Sequence, residues 1–382
     1  MTRRQAFIDW SLFLAGSPLL SAQESGARLE EMINIFDFEP VCKSKVPKSA
    51  YDYVSGGGWD EWTVKRNRDA FQRYTFRPRF FRPVDKLDVS TTVLGQKLAM
   101  PIVVAPTGTH GLLHPEGEAE TVRGASAAGA HMAISTNSTL PIDKIAAASK
   151  TTLWFQLYTG PDAEATHERV ARAVDAGCKA VLVTVDAPYN APRERDKRNN
   201  LTLQRSGEKS GGRRRREVPD APTSSYGLPV RFQAQLDWRF LTELVNKSKV
   251  PVLVKGILTG EDAALALKYG AAGVVVSNHG GRYLDGDPAT LDVLPEIVAA
   301  MQGRGTALID GGFRRGTDVL KALALGAKAV LVGRPPLWGL GAFGAAGVQK
   351  VLELLRDELA MAMALAGRPT IRSIDRSLVK RD

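Results

Sequence analysis

Cysteine is scarce in this chain: its 382 residues hold two, Cys42 and Cys178. They stand in separate contexts and form no C-x-x-C pair, which removes dithiol redox chemistry and a cysteine-based metal set. No metal site is expected. Cys178, in Asp175-Ala-Gly-Cys-Lys-Ala-Val181, reads as a small packed hydrophobe. Uncharged apolar runs of about eighteen residues are also missing, so no helix is expected to span a membrane. No G-x-G-x-x-G fingerprint follows the first branched run, which leaves the dinucleotide fold without a positive signal. Zinc-finger spacing, aromatic-rich nucleic-acid motifs and basic helices are lacking too, so nucleic acid is not an expected partner.

What is present is 44% hydrophobic and 24% charged, ordinary for a soluble protein with a large core. A formal net charge of +10 favours anionic partners: a small acid, a phosphate-bearing cofactor or an anionic surface. Much of the local excess lies in Arg213 to Arg216, inside a Gly/Ser/Lys-rich segment that reads first as a solvated loop. At the N-terminus, Arg3-Arg4, a short apolar stretch interrupted by Asp9 and a small-residue exit at Ala22 resemble a twin-arginine signal over residues 1–22. Export to the periplasm is the expectation, with a cytoplasmic location otherwise.

From about residue 100 to 367, short branched runs alternate with amphipathic segments. The strands expected are Ile102–Pro106, Met132–Thr136, Trp154–Tyr158, Val181–Asp186, Val252–Gly256, Val274–His279, Ala307–Asp310 and Val330–Arg334. Eight βα units over this length point to an α/β fold of the closed (β/α)8 TIM-barrel type, spanning residues 100–375. Residues 23–99 are expected to pack on it as an N-terminal helical segment, and the basic stretch forms a variable loop after strand 4.

In such barrels the active site lies at the C-terminal ends of the strands. Here nearly every strand ends in a hydrogen-bonding or charged residue: Thr107, Ser135, Gln156 and Tyr158, Thr184 and Asp186, Lys255, His279 with Arg282, Asp310, and Arg334. One such residue is a cap or a turn; the whole ring reads as a catalytic mouth. His279 is the natural general base, because its ordinary pKa lies near neutrality. Asp186 is placed to orient it. Arg282 and Arg193 are candidate carboxylate clamps through bidentate guanidinium bonds, although Arg193 stands in a charged stretch that also reads as surface. The glycine-rich segments Asp310-Gly311-Gly312-Phe313-Arg314-Arg315-Gly316 and Gly333-Arg334-Pro335 suit a phosphate held by backbone N–H groups. Lys255 ends strand 5 and serves either as a Schiff-base former or as fixed positive charge.

Together, Ser277-Asn278-His279-Gly280-Gly281-Arg282, Val254-Lys255-Gly256 and the two glycine-rich segments resemble the FMN-dependent 2-hydroxy-acid oxidase and dehydrogenase family. The likeness includes Phe155-Gln156-Leu157-Tyr158, Thr184-Val185-Asp186, Ala105-Pro106-Thr107 and Tyr51-Asp52-Tyr53, so it covers about residues 30 to 375. It implies FMN as cofactor and an L-2-hydroxy acid, such as lactate, glycolate or mandelate, as substrate. Tyr53, Tyr158, Arg193 and Arg282 would hold the substrate, with His279 as base and Asp186 its partner. Lys255 would stabilise the negative charge of reduced FMN, in place of the Schiff base. Pro106, Thr107, Gly108, Ser135, Gln156, Thr184 and Ser277 would line the flavin ring. Asp310, Gly311, Gly312, Arg314, Gly333 and Arg334 would hold ribityl and phosphate.

Three residues depart from the family pattern. Asn137 replaces glycolate oxidase's tryptophan, Tyr283 follows the arginine in place of glutamine, and Gly108 stands where several oxidases have alanine. The second half-reaction therefore stays open: oxygen giving peroxide, lactate monooxygenase-like decarboxylation, or transfer to a quinone or cytochrome. The resemblance also implies a homotetramer, and in its mandelate dehydrogenase-like members the loop after strand 4 meets a membrane. Two other readings remain beside it: a flavin-free phosphosugar aldolase or isomerase, and a non-enzymatic FMN binder.

Overall fold

The computed structural model describes residues 26–159, 162–189, 191–201 and 236–382. The arginine pair near the N-terminus and Arg213 to Arg216 lie outside these residues. The chain divides into two units, residues 1–33 and 34–382. Of the first, the described part holds a short 3-10 turn, Leu29–Glu31, closed by Arg28 and Glu31.

In the second unit, eight parallel strands close a barrel. They are β1 (Ile102–Val104), β2 (His131–Ser135), β3 (Leu153–Leu157), β4 (Val181–Thr184), β5 (Val252–Ile257), β6 (Gly273–Val276), β7 (Thr306–Asp310) and β8 (Ala329–Val332). The ring shuts where Val330 of β8 pairs with Ile102 of β1. Their unbroken apolar runs follow from burial on both faces, by the barrel core inside and the helices outside. Inside, Val103, Ala133, Trp154, Leu182, Leu253, Val275, Leu308 and Leu331 form one buried cluster.

A hairpin, Thr91–Val93 with Gln96–Leu98, closes the floor of the barrel. Leu94 and Gly95 both take left-handed φ, 51° and 75°, as a two-residue hairpin turn with matching twist demands. Val93 and Leu98 join the core cluster, and Gln96 accepts a 2.8 Å hydrogen bond from the Trp154 indole. The floor is sealed by this hairpin; chemistry is left to the opposite end.

Several strands end earlier than the sequence pattern suggests, whereas β5 runs one residue further, to Ile257, and β7 starts one residue earlier, at Thr306. Those expected to end at Pro106, Tyr158, Asp186, His279 and Arg334 end at Val104, Leu157, Thr184, Val276 and Val332. The polar residues just beyond are in loops, and His279 at φ 55° is incompatible with an extended strand. Arg334 instead opens the last helix, Arg334–Leu365, which kinks at Phe343 and Gly344. The backbone groups freed by the kink are satisfied from outside. Lys45 Nζ donates to the Ala342 carbonyl at 2.6 Å, and Glu120 accepts from the Ala345 amide at 2.9 Å. Cys42 and Cys178 are both buried and unpaired.

Candidate active site

At the mouth, a polar layer crosses three adjacent strands. Ser135 and Thr184 flank Gln156: the Gln156 carbonyl accepts from Ser135 Oγ at 3.3 Å, and its amide donates to Thr184 Oγ1 at 2.9 Å. On the next strands round the barrel, Lys255 Nζ donates to Ser277 Oγ at 2.8 Å, and Ser277 Oγ donates to Asp310 Oδ2 at 2.8 Å. Burial works against the Lys255 charge, but Asp310 and Asp186 outweigh it and hold the ammonium above its ordinary pKa. A lysine so protonated and paired is no Schiff-base nucleophile.

The loop after β6 carries three successive left-handed residues: His279 (φ 55°), Gly280 (φ 64°) and Gly281 (φ 72°). A Cβ on Gly281 would lie 2.7 Å from the Val64 amide nitrogen, so the chain needs glycine there for both space and conformation. The His279 amide donates to Ser277 Oγ at 3.0 Å, and Nδ1 lies 2.9 Å from Asp186 Oδ1. A carboxylate only accepts, so Nδ1 carries the proton and Nε2 keeps its lone pair. Nε2 points at the Tyr158 hydroxyl, 3.2 Å away. The Tyr283 ring meets the imidazole edge-on at 4.6 Å.

Burial pushes His279 below the ordinary imidazole pKa, against the upward pull of Asp186. It pushes Asp186 up, but His279 and Lys255 pull it down further, so the carboxylate stays ionised. Tyr158 is held well above its usual pKa by burial and remains a neutral hydroxyl. The result is a neutral, oriented base beside an ionised partner.

Two guanidinium groups bracket Tyr53, with Arg193 at 5.2 Å and Arg282 at 5.0 Å from its ring centre. Arg193 pairs with Asp196 at 2.6 Å. Arg282 donates to the Tyr53 and Gly56 carbonyls at 2.7 and 3.0 Å and forms no ion pair among the described residues. Burial and the neighbouring Arg193 press its pKa down, as expected of a cation lacking an anion.

A second cationic cluster lies beyond β7 and β8. Arg314 is buried, donates to the Phe313 carbonyl and stacks 4.5 Å from the Trp338 ring. Arg334 donates to the Val54, Gly280 and Gly56 carbonyls. Burial and neighbouring arginines lower Arg314 to about 10 and Arg334 to about 9. Gly311 and Gly312 (φ 104° and 83°) turn the chain tightly against Asn67, and Asp310 Oδ1 is buried without a partner. A desolvated cluster of this kind calls for an anion.

These features define a barrel with an oriented histidine and two separate cationic clusters at its mouth. The model of the FMN-dependent dehydrogenase family matches residues 42–381. Glycolate oxidase of Spinacia oleracea is 43% identical over 357 residues, covering 92% of this chain and 96% of the relative. L-lactate oxidase of Nostoc sp. is 45% identical over 361 residues, covering 91% and 98%. Among solved structures, a mandelate oxidase superposes with a TM-score of 0.81 at 38% identity, covering 91% of this chain and 98% of that one. A soluble mutant of the (S)-mandelate dehydrogenase from Pseudomonas putida gives 0.84 at 36%, covering 92% and 100%. The chain belongs to the FMN-dependent dehydrogenase family.

The residues present fit FMN. Arg314 and Arg334 supply the charge that a phosphate needs, and the turn at Gly311 and Gly312 lets backbone amides approach it. The orphaned Asp310 oxygen is an open acceptor for a hydroxyl.

Of the residues named from the strand ends, Ser135, Gln156, Thr184, Lys255 and Asp310 lie in the last residues of their strands, and Tyr158, Asp186, His279, Arg282 and Arg334 lie just beyond theirs. Pattern reading missed the pair that holds the His279 loop. Asn67 and Asn278, both buried, exchange two amide hydrogen bonds of 2.9 Å, and Asn67 also accepts from the Thr290 amide at 3.3 Å. Truncation to Ala removes one of the two bonds that Asn278 Nδ2 donates, the other going to the Pro288 carbonyl, and leaves the Thr290 N–H unmatched. Asn67→Ala is therefore expected to lower stability by about 2 kcal/mol, read as a drop in the urea midpoint. A change under about 0.5 kcal/mol contradicts this placement.

Proposed function

We propose that the chain oxidises an L-2-hydroxy acid, of the lactate, glycolate or mandelate kind, to the 2-keto acid. The observation that carries this is an oriented neutral histidine between an anion-seeking arginine pair and the cationic cluster suited to FMN. FMN, when bound, supplies the two-electron acceptor.

Arg282 and Arg193 grip the substrate carboxylate, which fixes C2 and its hydroxyl relative to His279. Tyr53 and Tyr158 hydrogen-bond the substrate. His279 Nε2 takes the proton, from C2 or from the hydroxyl, and the imidazolium that results is stabilised by Asp186. Lys255 would supply positive charge to FMN as it gains electrons. Pro106, Thr107, Gly108, Ser135, Gln156, Thr184 and Ser277 would line its ring. Asp310, Gly311, Gly312, Arg314, Gly333 and Arg334 would hold the ribityl chain and phosphate.

Oxygen is the acceptor in this reading. One observation favours the alternative, a quinone, a cytochrome or monooxygenase-like decarboxylation: glycine at 108. A Cβ there would lie 2.9 Å from the Asn137 carbonyl oxygen, so this loop packs around the lack of a side chain. Turnover in air separates the two. Equimolar 2-keto acid and hydrogen peroxide support the oxidase, carbon dioxide and the one-carbon-shorter acid in air support the decarboxylating reaction, turnover only with an added acceptor supports a quinone or cytochrome, and no turnover under any of these conditions contradicts the proposal. The homotetramer, residues 23–99 as a segment docked on the barrel, periplasmic export and contact of the basic loop with anionic lipid are proposals supported by sequence motifs and resemblance.

The depressed His279 pKa sets a pH dependence. The base works when neutral, so kcat/KM rises with pH through the His279 pKa, and that midpoint is expected below the ordinary imidazole value of about 6.5. Asp186 pulls the pKa up, so Asp186→Asn moves the acid limb to still lower pH while slowing turnover. A wild-type limb above about 6.5, or an upward shift in the variant, contradicts the assignment.

A further inference from the structure

Behind the mouth lies a buried polar chain that the reaction as described does not use. His110, Glu118 and Thr121 have no exposed surface at all. His110 Nε2 lies 2.7 Å from Thr107 Oγ1, and Nδ1 lies 2.9 Å from Thr121 Oγ1. Glu118 accepts from the amides of His110 (3.1 Å), Thr139 (2.8 Å) and Leu140 (3.2 Å). One carboxylate thus pins the loops after β1 and β2, both of which carry mouth residues.

The donor directions follow from the partners. The Thr121 hydroxyl has the Gly117 carbonyl one helical turn back, 3.4 Å away, as an acceptor for its proton, an arrangement in which it takes Nδ1–H at 2.9 Å. Burial holds His110 below its ordinary pKa, against the pulls of Glu118 and the Thr107 backbone. Nε2 is then an acceptor, and the Thr107 hydroxyl proton goes to it. The competing acceptor, the Ala105 carbonyl, is at 3.5 Å. With its proton turned inward, Thr107 offers only lone pairs to the mouth.

We propose that His110 is a positioning residue for the cofactor: it locks Thr107 as a hydrogen-bond acceptor facing the flavin ring, and thereby favours the reduced ring over the oxidised one. This rests on the FMN reading above. Two-electron reduction of an isoalloxazine turns a ring nitrogen from acceptor into N–H donor, so a wall group fixed as acceptor matches the reduced state better. Without His110, the Thr107 proton is free to turn outward and serve the oxidised ring.

The test is the reduction potential of the bound FMN, measured by anaerobic equilibration with reference dyes. His110→Ala and Thr107→Val are each expected to make the bound flavin about tenfold harder to reduce, a fall of about 30 mV for a two-electron couple. The double variant is expected to fall no further, because both changes remove one interaction. His110→Gln, which presents an amide oxygen, and Thr107→Ser are expected to return towards wild type. Thr107→Val leaves the buried chain in place, so it reports even where His110→Ala does not fold. An unchanged potential in Thr107→Val, or additive falls in the double variant, overturns the inference while a yellow wild-type protein leaves the FMN reading intact. A wild-type chain that takes up no FMN overturns both.

Discussion

Replacing His279 with glutamine is expected to lower kcat/KM for the 2-hydroxy acid by roughly a thousandfold, the middle of the range for loss of a general base. Glutamine fills much of the same space but has no group that titrates near neutrality. Asp186 keeps a donor partner in the variant, so the surrounding charges need not rearrange. In the proposed function FMN is held by other residues, the Arg314 and Arg334 cluster above all, so the visible flavin spectrum is expected to persist. Steady-state kinetics on the yellow variant reads this directly. A loss of less than about tenfold removes His279 from the role of base.

The second large effect belongs to Arg282. Its guanidinium is buried beside Arg193, stacks on Tyr53 and forms no ion pair among the described residues, so in the proposed function the substrate carboxylate supplies the missing charge. Removing one partner of such a pair costs about 2–5 kcal/mol, or from roughly thirtyfold to several thousandfold in kcat/KM. Arg282→Lys is expected to recover little, since an ammonium lacks the two-pronged fork. Arg193→Lys is expected to cost less, because Arg193 already shares its charge with Asp196 at 2.6 Å. Kinetics on the two lysine variants gives the ranking; an Arg282→Lys variant close to wild type contradicts bidentate recognition.

Much of this was legible in the sequence because a barrel makes position along a strand equivalent to position in the molecule. Once branched runs alternate with helical patterns, the residue after each run is at the mouth, whatever its number. His279, Asp186, Lys255 and Asp310 come from four separate units, yet they converge for that reason alone. The resemblance then supplied roles that strand ends cannot, such as that of Lys255.

What stayed hidden depends on contacts that no local pattern encodes. Asn67 meets Asn278 across 211 residues of sequence, and a single asparagine in a polar helix carries no signal of that pairing. His110 is flanked by ordinary loop residues, and its burial arises from the helix Gly117–Ala128 folding over it. Gly256 reads as a strand-end glycine; its reason is the Asp186 side chain, whose Cβ lies 2.6 Å from where a Cβ would stand. Strand ends were overextended because His279 and its neighbours leave the ladder through left-handed backbone, which side-chain polarity does not reveal.

The most direct measurement is anaerobic mixing of the purified yellow protein with L-lactate, glycolate and L-mandelate in turn, following flavin absorbance. At least one of them is expected to bleach the flavin with formation of one equivalent of 2-keto acid, and His279→Gln to bleach slowly under the same conditions. A flavin that stays oxidised with every L-2-hydroxy acid offered contradicts the account.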